Sequence, residues 1–140
     1  MTLNKTLLKQ EVITYTRAHY KADVSKILLS KSPFEDVSAP ELAQQIIGLQ
    51  KAERKLSSWF EHHEILYPPK LNLEQTSSEE TARYKASLFS GSSAIDLTGG
   101  LGIDTYFLST VFDEVIHCEM NAELSELAQH NFEVLGAKNI

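Results

Sequence analysis

The residues with the clearest chemical potential lie between positions 94 and 104, where the sequence reads AIDLTGGLGID. A short apolar run ends at Asp96 and continues through Gly99, Gly100 and Gly102 into a sequence that favours a helix. Because glycine has no Cβ, a polar ligand can approach bare backbone N–H groups at the start of that helix. The segment therefore predicts a strand, a glycine-rich turn and a helix that together bind a nucleotide-like ligand.

Three classes of ligand use a turn of this kind, and the spacing separates them. A phosphate-binding P-loop needs a lysine directly after its last glycine, and no lysine follows Gly102. A dinucleotide fingerprint needs a third small residue, but Thr105 occupies that place. The S-adenosylmethionine turn has an acidic residue followed by x-x-x-Gly-x-Gly, which Asp96, Gly100 and Gly102 match. The spacing therefore favours S-adenosylmethionine as the cofactor.

The charges of that cofactor fit the same residues, because it carries an ammonium and a sulfonium but no pyrophosphate. Asp96 can accept a hydrogen bond from the ammonium, and the glycines at 99, 100 and 102 let the backbone approach the methionine moiety and the ribose. Glu119, about 20 residues further along at the end of a second predicted strand, is placed for the ribose hydroxyls. Met120 beside it would form an apolar wall against the adenine.

Residues 95–104 together with Glu119 resemble motif I and the following acidic residue of class I S-adenosylmethionine-dependent methyltransferases. Leu127, Ala128, Asn131 and Gly136 resemble the corresponding helix in members that modify nucleic acids. The sequence YPPKLNLEQTSSEETARYK at 67–85, taken with DLTGG at 96–100, is similar to bacterial methyltransferases that carry a THUMP-like domain.

The resemblance implies further cofactor contacts. Gln75 and Thr81 fall where family members close over the cofactor, although helix capping and core packing explain them nearly as well. Asp104 either contacts the cofactor or complements the dipole of its helix. Thr98 replaces a glycine that is common in the superfamily, and its hydroxyl could bind the cofactor. The expected cofactor-binding residues are Asp96, Thr98, Gly99, Gly100, Gly102, Asp104, Glu119, Met120, Gln75 and Thr81.

The elements that must position these residues alternate in the second half of the chain. The pattern predicts helices over 77–89, 103–111 and 121–135, with strands over 93–97 and 113–119. The connections are short, so the strands should be parallel and joined by a right-handed crossover. Gly136 is placed to end the last helix as a left-handed cap. The first half reads as helical, with helices expected over 3–20, 23–29 and 38–63.

These elements predict an α-rich α/β chain of two parts: an α-helical domain over 1–67 and the opening β-α-β-α of a Rossmann-like methyltransferase domain over 68–140. Residues 138–140 look like the approach to a third strand, and two parallel strands make a poor sheet. We therefore expect the chain to be the N-terminal part of a longer protein.

Composition excludes several classes of protein. No apolar run approaches the roughly 20 residues needed to span a bilayer, and no signal peptide is evident, so a cytoplasmic location is expected. The single cysteine, Cys118, excludes an internal disulfide or a multi-cysteine metal site. His62 and His63 point in different directions on a helix, so no metal site is expected. His117 and Cys118 lie in a predicted strand, where we expect them to be packed.

Charge bears on the partner of the chain. The formal net charge of −6 gives no global reason to bind nucleic acid. Lys51, Arg54 and Lys55 nevertheless recur at helical spacing on the longest predicted helix. A solvated face is the ordinary explanation for this basic stripe, and phosphate contact with RNA is the alternative. The sequence does not predict an oligomeric state.

The expected reaction is transfer of a methyl group to a nucleophilic atom of RNA or another nucleic acid. Much of its catalysis is alignment of donor and acceptor. An acceptor motif of the Asn/Asp-Pro-Pro-Tyr type would lie beyond Ile140, so no catalytic residue is assigned here and this chain alone is expected to be inactive. The alternative is a non-enzymatic helical module that binds RNA or protein, in which the glycine-rich turn is structural.

Overall fold

Helices occupy the first half of the chain in the computed structural model, which describes residues 3–140. A 3-10 turn at Lys5–Leu8 precedes α1 (Gln10–His19) and α2 (Val24–Leu29). The prediction of a single helix over 3–20 is therefore wrong. Lys9 adopts an extended backbone, with φ −63° and ψ 137°, and this separates the turn from α1.

The longest helix, α3 (Ala39–Lys55), begins with the predicted capping box. The backbone N–H of Ser38 donates to Glu41 Oε2 over 2.7 Å, and the N–H of Glu41 donates to Ser38 Oγ over 3.4 Å. The helix does not run to residue 63 as expected, because Leu56 leaves the helical region with φ −138° and ψ 56°. Leu56 is buried, and a separate short helix, α4 (Ser57–Glu61), follows it.

The second half follows the predicted order, with α6 (Glu79–Ser87), β1 (Gly91–Asp96), α7 (Ile103–Leu108), β2 (Phe112–His117) and α8 (Ala122–Val134). It contains one helix that was not predicted, α5 (Lys70–Gln75). The strands pair in parallel, with Ala94 opposite Val115 and Asp96 opposite His117. The parallel pairing is therefore confirmed, and it brings the carboxyl ends of both strands to one edge.

The left-handed cap at Gly136 is also confirmed, with φ 72°. The N–H of Ala137 donates to the carbonyl of Phe132 over 2.9 Å, and that of Gly136 donates to the carbonyl of Glu133 over 3.1 Å. This pair of bonds is a Schellman motif, which satisfies the last carbonyls of α8.

A buried extended segment, residues 65–67, joins the two halves. The side-chain amide of Asn131 in α8 accepts from the N–H of Leu66 and donates to its carbonyl, both over 2.9 Å. From the other side, Gln45 in α3 accepts from the N–H of Tyr67 over 3.2 Å, and Gln44 donates to its carbonyl over 2.8 Å. One continuous core contains residues of both halves. The division at residue 67 stays a prediction.

Glu79, at the start of α6, caps a helix from the other half. Its Oε2 accepts from the N–H and the hydroxyl of Ser58 over 2.9 and 2.7 Å, and Arg83 donates to its Oε1 over 2.8 Å. Burial by itself raises the pKa of Glu79, but the hydrogen bonds from Ser58 and Arg83 outweigh it, so the pKa lies below its ordinary value. A carboxyl group of this kind stabilises the fold at pH values above its unfolded-state pKa.

Replacing Glu79 by glutamine should therefore lower the free energy of unfolding by about 1–2 kcal/mol at neutral pH, because charge-assisted hydrogen bonds are lost. The wild-type protein should lose this contribution as the pH falls below the unfolded-state pKa of Glu79, so the two unfolding curves should converge in acid. Urea denaturation across the pH range measures both effects. Glu80→Gln alters the exposed neighbour and serves as the control. Equal stability of the Glu79 and Glu80 variants at neutral pH would contradict the prediction.

Within residues 3–140, no helix combines the length and the apolar character that crossing a bilayer requires.

Candidate functional site

The glycine-rich turn begins where β1 ends and is tied to the end of β2. The N–H of Cys118 donates to the carbonyl of Asp96, and the N–H of Gly99 donates to the carbonyl of Cys118, each over 2.8 Å. A further bond of 2.8 Å from the N–H of Gly102 to the carbonyl of Gly99 closes the turn. The backbone of residues 97–102 is therefore fixed by the sheet before α7 begins.

The three glycines of the turn serve different purposes. A Cβ on Gly99 would lie 2.2 Å from the ring of His117, and one on Gly102 would lie 2.3 Å from the ring of Phe132. Gly102 also has a left-handed backbone, with φ 90°. Gly100 has φ 54°, but a Cβ there would meet nothing within 4 Å. Gly99 and Gly102 therefore allow close packing, whereas Gly100 presents its backbone to open space.

Two residues at the end of β2 hold the peptide groups of Gly100. Glu119 Oε2 accepts from the N–H of Gly100 over 2.9 Å, while its Oε1 accepts from the N–H of Asn121 over 2.8 Å. His117 Nε2 lies 3.1 Å from the carbonyl oxygen of Gly100 and must donate to it, because a carbonyl can only accept. His117 is packed as expected, against Phe132 at 5.3 Å between ring centroids. Its hydrogen bond to the turn was not predicted.

Asp96 is occupied by contacts within the protein. Its Oδ2 accepts from the hydroxyl of Thr105 over 2.7 Å, and its Oδ1 accepts from the N–H of Thr98 over 3.2 Å. Thr105 is fully buried in the place where a dinucleotide turn has a small residue. The carboxylate therefore joins the end of β1 to α7, and its expected contact with an ammonium stays a prediction.

A cavity of about 300 Å³ lies over the glycine-rich turn. Seven of the ten expected residues line it: Gln75, Thr98, Gly99, Gly100, Gly102, Asp104 and Glu119. The other three do not. Asp96 is engaged with Thr98 and Thr105. Met120 is fully exposed, and Thr81 is hydrogen-bonded to Ser78 at the start of α6.

Sequence reasoning missed seven residues of the cavity wall. Leu101 and Ile103 lie within the glycine-rich segment itself, and the other five are, in chain order, Asn72, Thr76, Ser77, Asn121 and Leu124. The first lies on α5, the helix that was not predicted, and the next two follow that helix directly. Pro69 at the N-cap of α5 was the one local signal for this helix. The last two lie at the start of α8, where Asn121 is the N-cap.

Carboxylates are the charged groups of the cavity wall. Asp104 and Glu119 line it, and no lysine or arginine does so within the described residues. Asp104 Oδ2 accepts from the hydroxyl of Ser77 over 3.0 Å, and it lies 3.1 Å from Lys85 Nζ. The ammonium of Lys85 therefore stands beside the wall and partly compensates one of its two negative charges.

The basic stripe on α3 is partly engaged by α5. Lys51 Nζ lies 3.1 Å from Glu74 Oε1, and Lys55 Nζ donates to the carbonyl of Leu73 over 3.3 Å. Arg54 is exposed. The two lysines thus hold α5 against α3, and a contact with RNA stays a proposal.

No protein-family model matches the chain, and a search of curated proteins gave no match. The crystal structure of a proposed methyltransferase from Porphyromonas gingivalis W83 is similar to it, with a TM-score of 0.79 and 29% sequence identity. The match covers 96% of this chain and 34% of that protein. The chain therefore spans about a third of the length of this structural neighbour, and nearly all of its helix-rich α/β fold has a counterpart there.

Proposed function

We propose that this chain is the cofactor-binding part of a class I S-adenosylmethionine-dependent methyltransferase of the bacterial group with a THUMP-like domain. The observation that carries the proposal is the cavity over the glycine-rich turn. Two carboxylates and the open backbone of Gly100 line it, and its wall within the described residues includes no lysine or arginine. The structural neighbour, itself a proposed methyltransferase, supports the same activity.

The residues present suit the chemical groups of this cofactor. Glu119 uses one lone pair of each oxygen for a backbone N–H, which leaves further lone pairs for the ribose hydroxyls. Asp104 offers a carboxylate to the ammonium. A pyrophosphate would instead meet two carboxylates in the same cavity, an arrangement that repels it. The wall therefore favours S-adenosylmethionine over a dinucleotide.

When bound, the cofactor supplies an electrophilic methyl group. The residues of this chain bind it and orient it, because the glycine-rich turn, Glu119 and Asp104 all belong to elements fixed by the sheet and its neighbouring helices. Acceptor binding and the chemical step are assigned to further residues of a longer, cytoplasmic protein. Its proposed acceptor is RNA or another nucleic acid, and the exposed Arg54 is available for a phosphate contact.

Isothermal titration of this chain with S-adenosylhomocysteine tests the proposal. Saturable binding is expected, and Glu119→Gln should weaken it about 10-fold or more, because a charge-assisted hydrogen bond is worth about 1.5–3 kcal/mol. Glu114→Gln is the matched control, since Glu114 is an exposed carboxylate on β2. Binding of NAD instead would favour a dinucleotide enzyme. Binding of neither compound would favour the non-enzymatic module.

A further inference from the structure

Both polar backbone groups of Gly100 are held by side chains from the end of β2. The N–H donates to Glu119 Oε2 over 2.9 Å, and the carbonyl accepts from His117 Nε2 over 3.1 Å. Glu119 lines the cavity and can contact a ligand directly. His117 is not part of the cavity wall, so it can act on a ligand only through the turn.

The ring of His117 reaches this carbonyl because Gly99 has no side chain. A Cβ on Gly99 would lie 2.2 Å from a ring carbon and 2.3 Å from Nε2 itself. The ring also packs edge-on against Phe132, with 5.3 Å between the ring centroids. His117 is therefore held beside the turn, and a side chain at position 99 would displace the nitrogen that donates.

The hydrogen bond from His117 sets the direction of the peptide between Gly100 and Leu101. A trans peptide directs its N–H opposite to its carbonyl, so the N–H of Leu101 points away from His117. A Cβ on Gly100 would meet nothing within 4 Å, and glycine tolerates φ of either sign. Packing at Gly100 therefore does not oppose a reversal of this peptide, and the hydrogen bond does.

The N–H of Leu101 is the one donor in the turn that the described residues leave unused. Over residues 98–102, four N–H groups donate to protein oxygens at 2.8–3.2 Å, namely those of Thr98, Gly99, Gly100 and Gly102. Leu101 lines the cavity, and it is only 2% exposed. A backbone N–H on a buried residue needs an acceptor, and a ligand in the cavity would supply one.

We infer that His117 is a positioning residue for the proposed cofactor, because its hydrogen bond holds the N–H of Leu101 in place for an acceptor atom of the ligand. The inference rests on the proposed function and adds to it a residue that does not touch the ligand. The other explanation is that His117 only fills space between Phe132 and the turn. The first explanation requires a donor at position 117, whereas the second requires a ring.

Two substitutions separate the donor from the ring. His117→Phe keeps an aromatic ring but removes the donor, whereas His117→Gln removes the ring but keeps an N–H donor at a similar distance from the backbone. His117→Phe should weaken binding of S-adenosylhomocysteine about 3- to 10-fold, as expected for one lost hydrogen bond. His117→Gln should melt at a lower temperature, yet it should bind within about 2-fold of the wild type, because its donor remains.

His130→Phe is the matched control. His130 Nε2 also donates to a backbone carbonyl, that of Glu64 over 2.8 Å, but it lies on α8 and outside the cavity wall. This variant should keep the affinity of the wild type. The inference is overturned if His117→Phe binds as tightly as this control, or if His117→Gln is weakened as much as His117→Phe.

Hydrogen exchange in the wild-type protein gives a test that does not depend on folding of a variant. Saturation with S-adenosylhomocysteine should slow exchange of the Leu101 N–H by a larger factor than that of Gly99, which already has an acceptor. Equal factors at the two positions would overturn the inference and leave the proposed cofactor standing. If the wild type does not bind S-adenosylhomocysteine, the proposed function is overturned and the inference falls with it.

Discussion

Replacing Asn131 by leucine should lower the free energy of unfolding by about 2–6 kcal/mol, because two buried backbone groups lose their partners at about 1–3 kcal/mol each. The two groups are the N–H and the carbonyl of Leu66, which the Asn131 amide binds over 2.9 Å. Asn131 and Leu66 are almost wholly buried, so water cannot replace the amide. Leucine has the same branched side-chain skeleton as asparagine but offers neither a donor nor an acceptor.

Urea denaturation followed by tryptophan fluorescence measures this change, since Trp59 is the single tryptophan and is fully buried. Gln129→Leu is the matched control, because Gln129 carries an exposed amide on the same helix. That variant should stay within about 0.5 kcal/mol of the wild type. An Asn131 variant as stable as the control would show that the amide does not hold residues 65–67 in place.

Replacing Gly102 by alanine should abolish binding of S-adenosylhomocysteine and destabilise the protein by about 2–5 kcal/mol, the sum of left-handed strain and overpacking. The strain follows from φ 90°, and the overpacking from a Cβ 2.3 Å from the ring of Phe132. Because Gly102 is the N-cap of α7, a shift there would also displace the turn that the ligand contacts.

Gly100→Ala separates the two effects. Gly100 also has a positive φ of 54°, but its Cβ would meet nothing within 4 Å. That variant should therefore lose only about 1–2 kcal/mol. Adding Phe132→Leu to Gly102→Ala should recover part of the overpacking and none of the strain, an interaction that a double-mutant cycle measures. Equal losses for the two alanine variants would contradict the packing argument.

The second half of the fold was largely predictable because its signals are local. An apolar run, a glycine-rich turn and a capping residue each specify an element from neighbouring residues, and Gly136 ends α8 as expected. Helix α5 was not predictable in this way. Of its two leucines, Leu73 is buried but Leu71 is 64% exposed, so it shows no apolar stripe. Contacts from Lys51 and Lys55, far away in sequence, hold it instead.

The same distinction applies to the site. The spacing of Asp96, Gly100, Gly102 and Glu119 predicted a turn with a carboxylate beside it, and the cavity lies there. Spacing could not show that the hydroxyl of Thr105 would donate a hydrogen bond to the carboxylate of Asp96, because that bond depends on the orientation of α7. Spacing also could not show that Ser77 and Lys85 lie beside Asp104, because Lys85 is on α6 and Ser77 directly precedes the N-cap of that helix.

The amide contacts to residues 65–67 have a consequence for how such a chain can be divided. Leu66 is bound from α8, and Tyr67 from α3, so each half of the protein satisfies backbone groups of one short segment. A cut after residue 67 would expose apolar surface on both sides and leave the buried amide of Asn131 without its partner Leu66. We therefore expect the halves to unfold in a single cooperative transition, and the helical half to be inherited with the strands instead of being exchanged as an independent module.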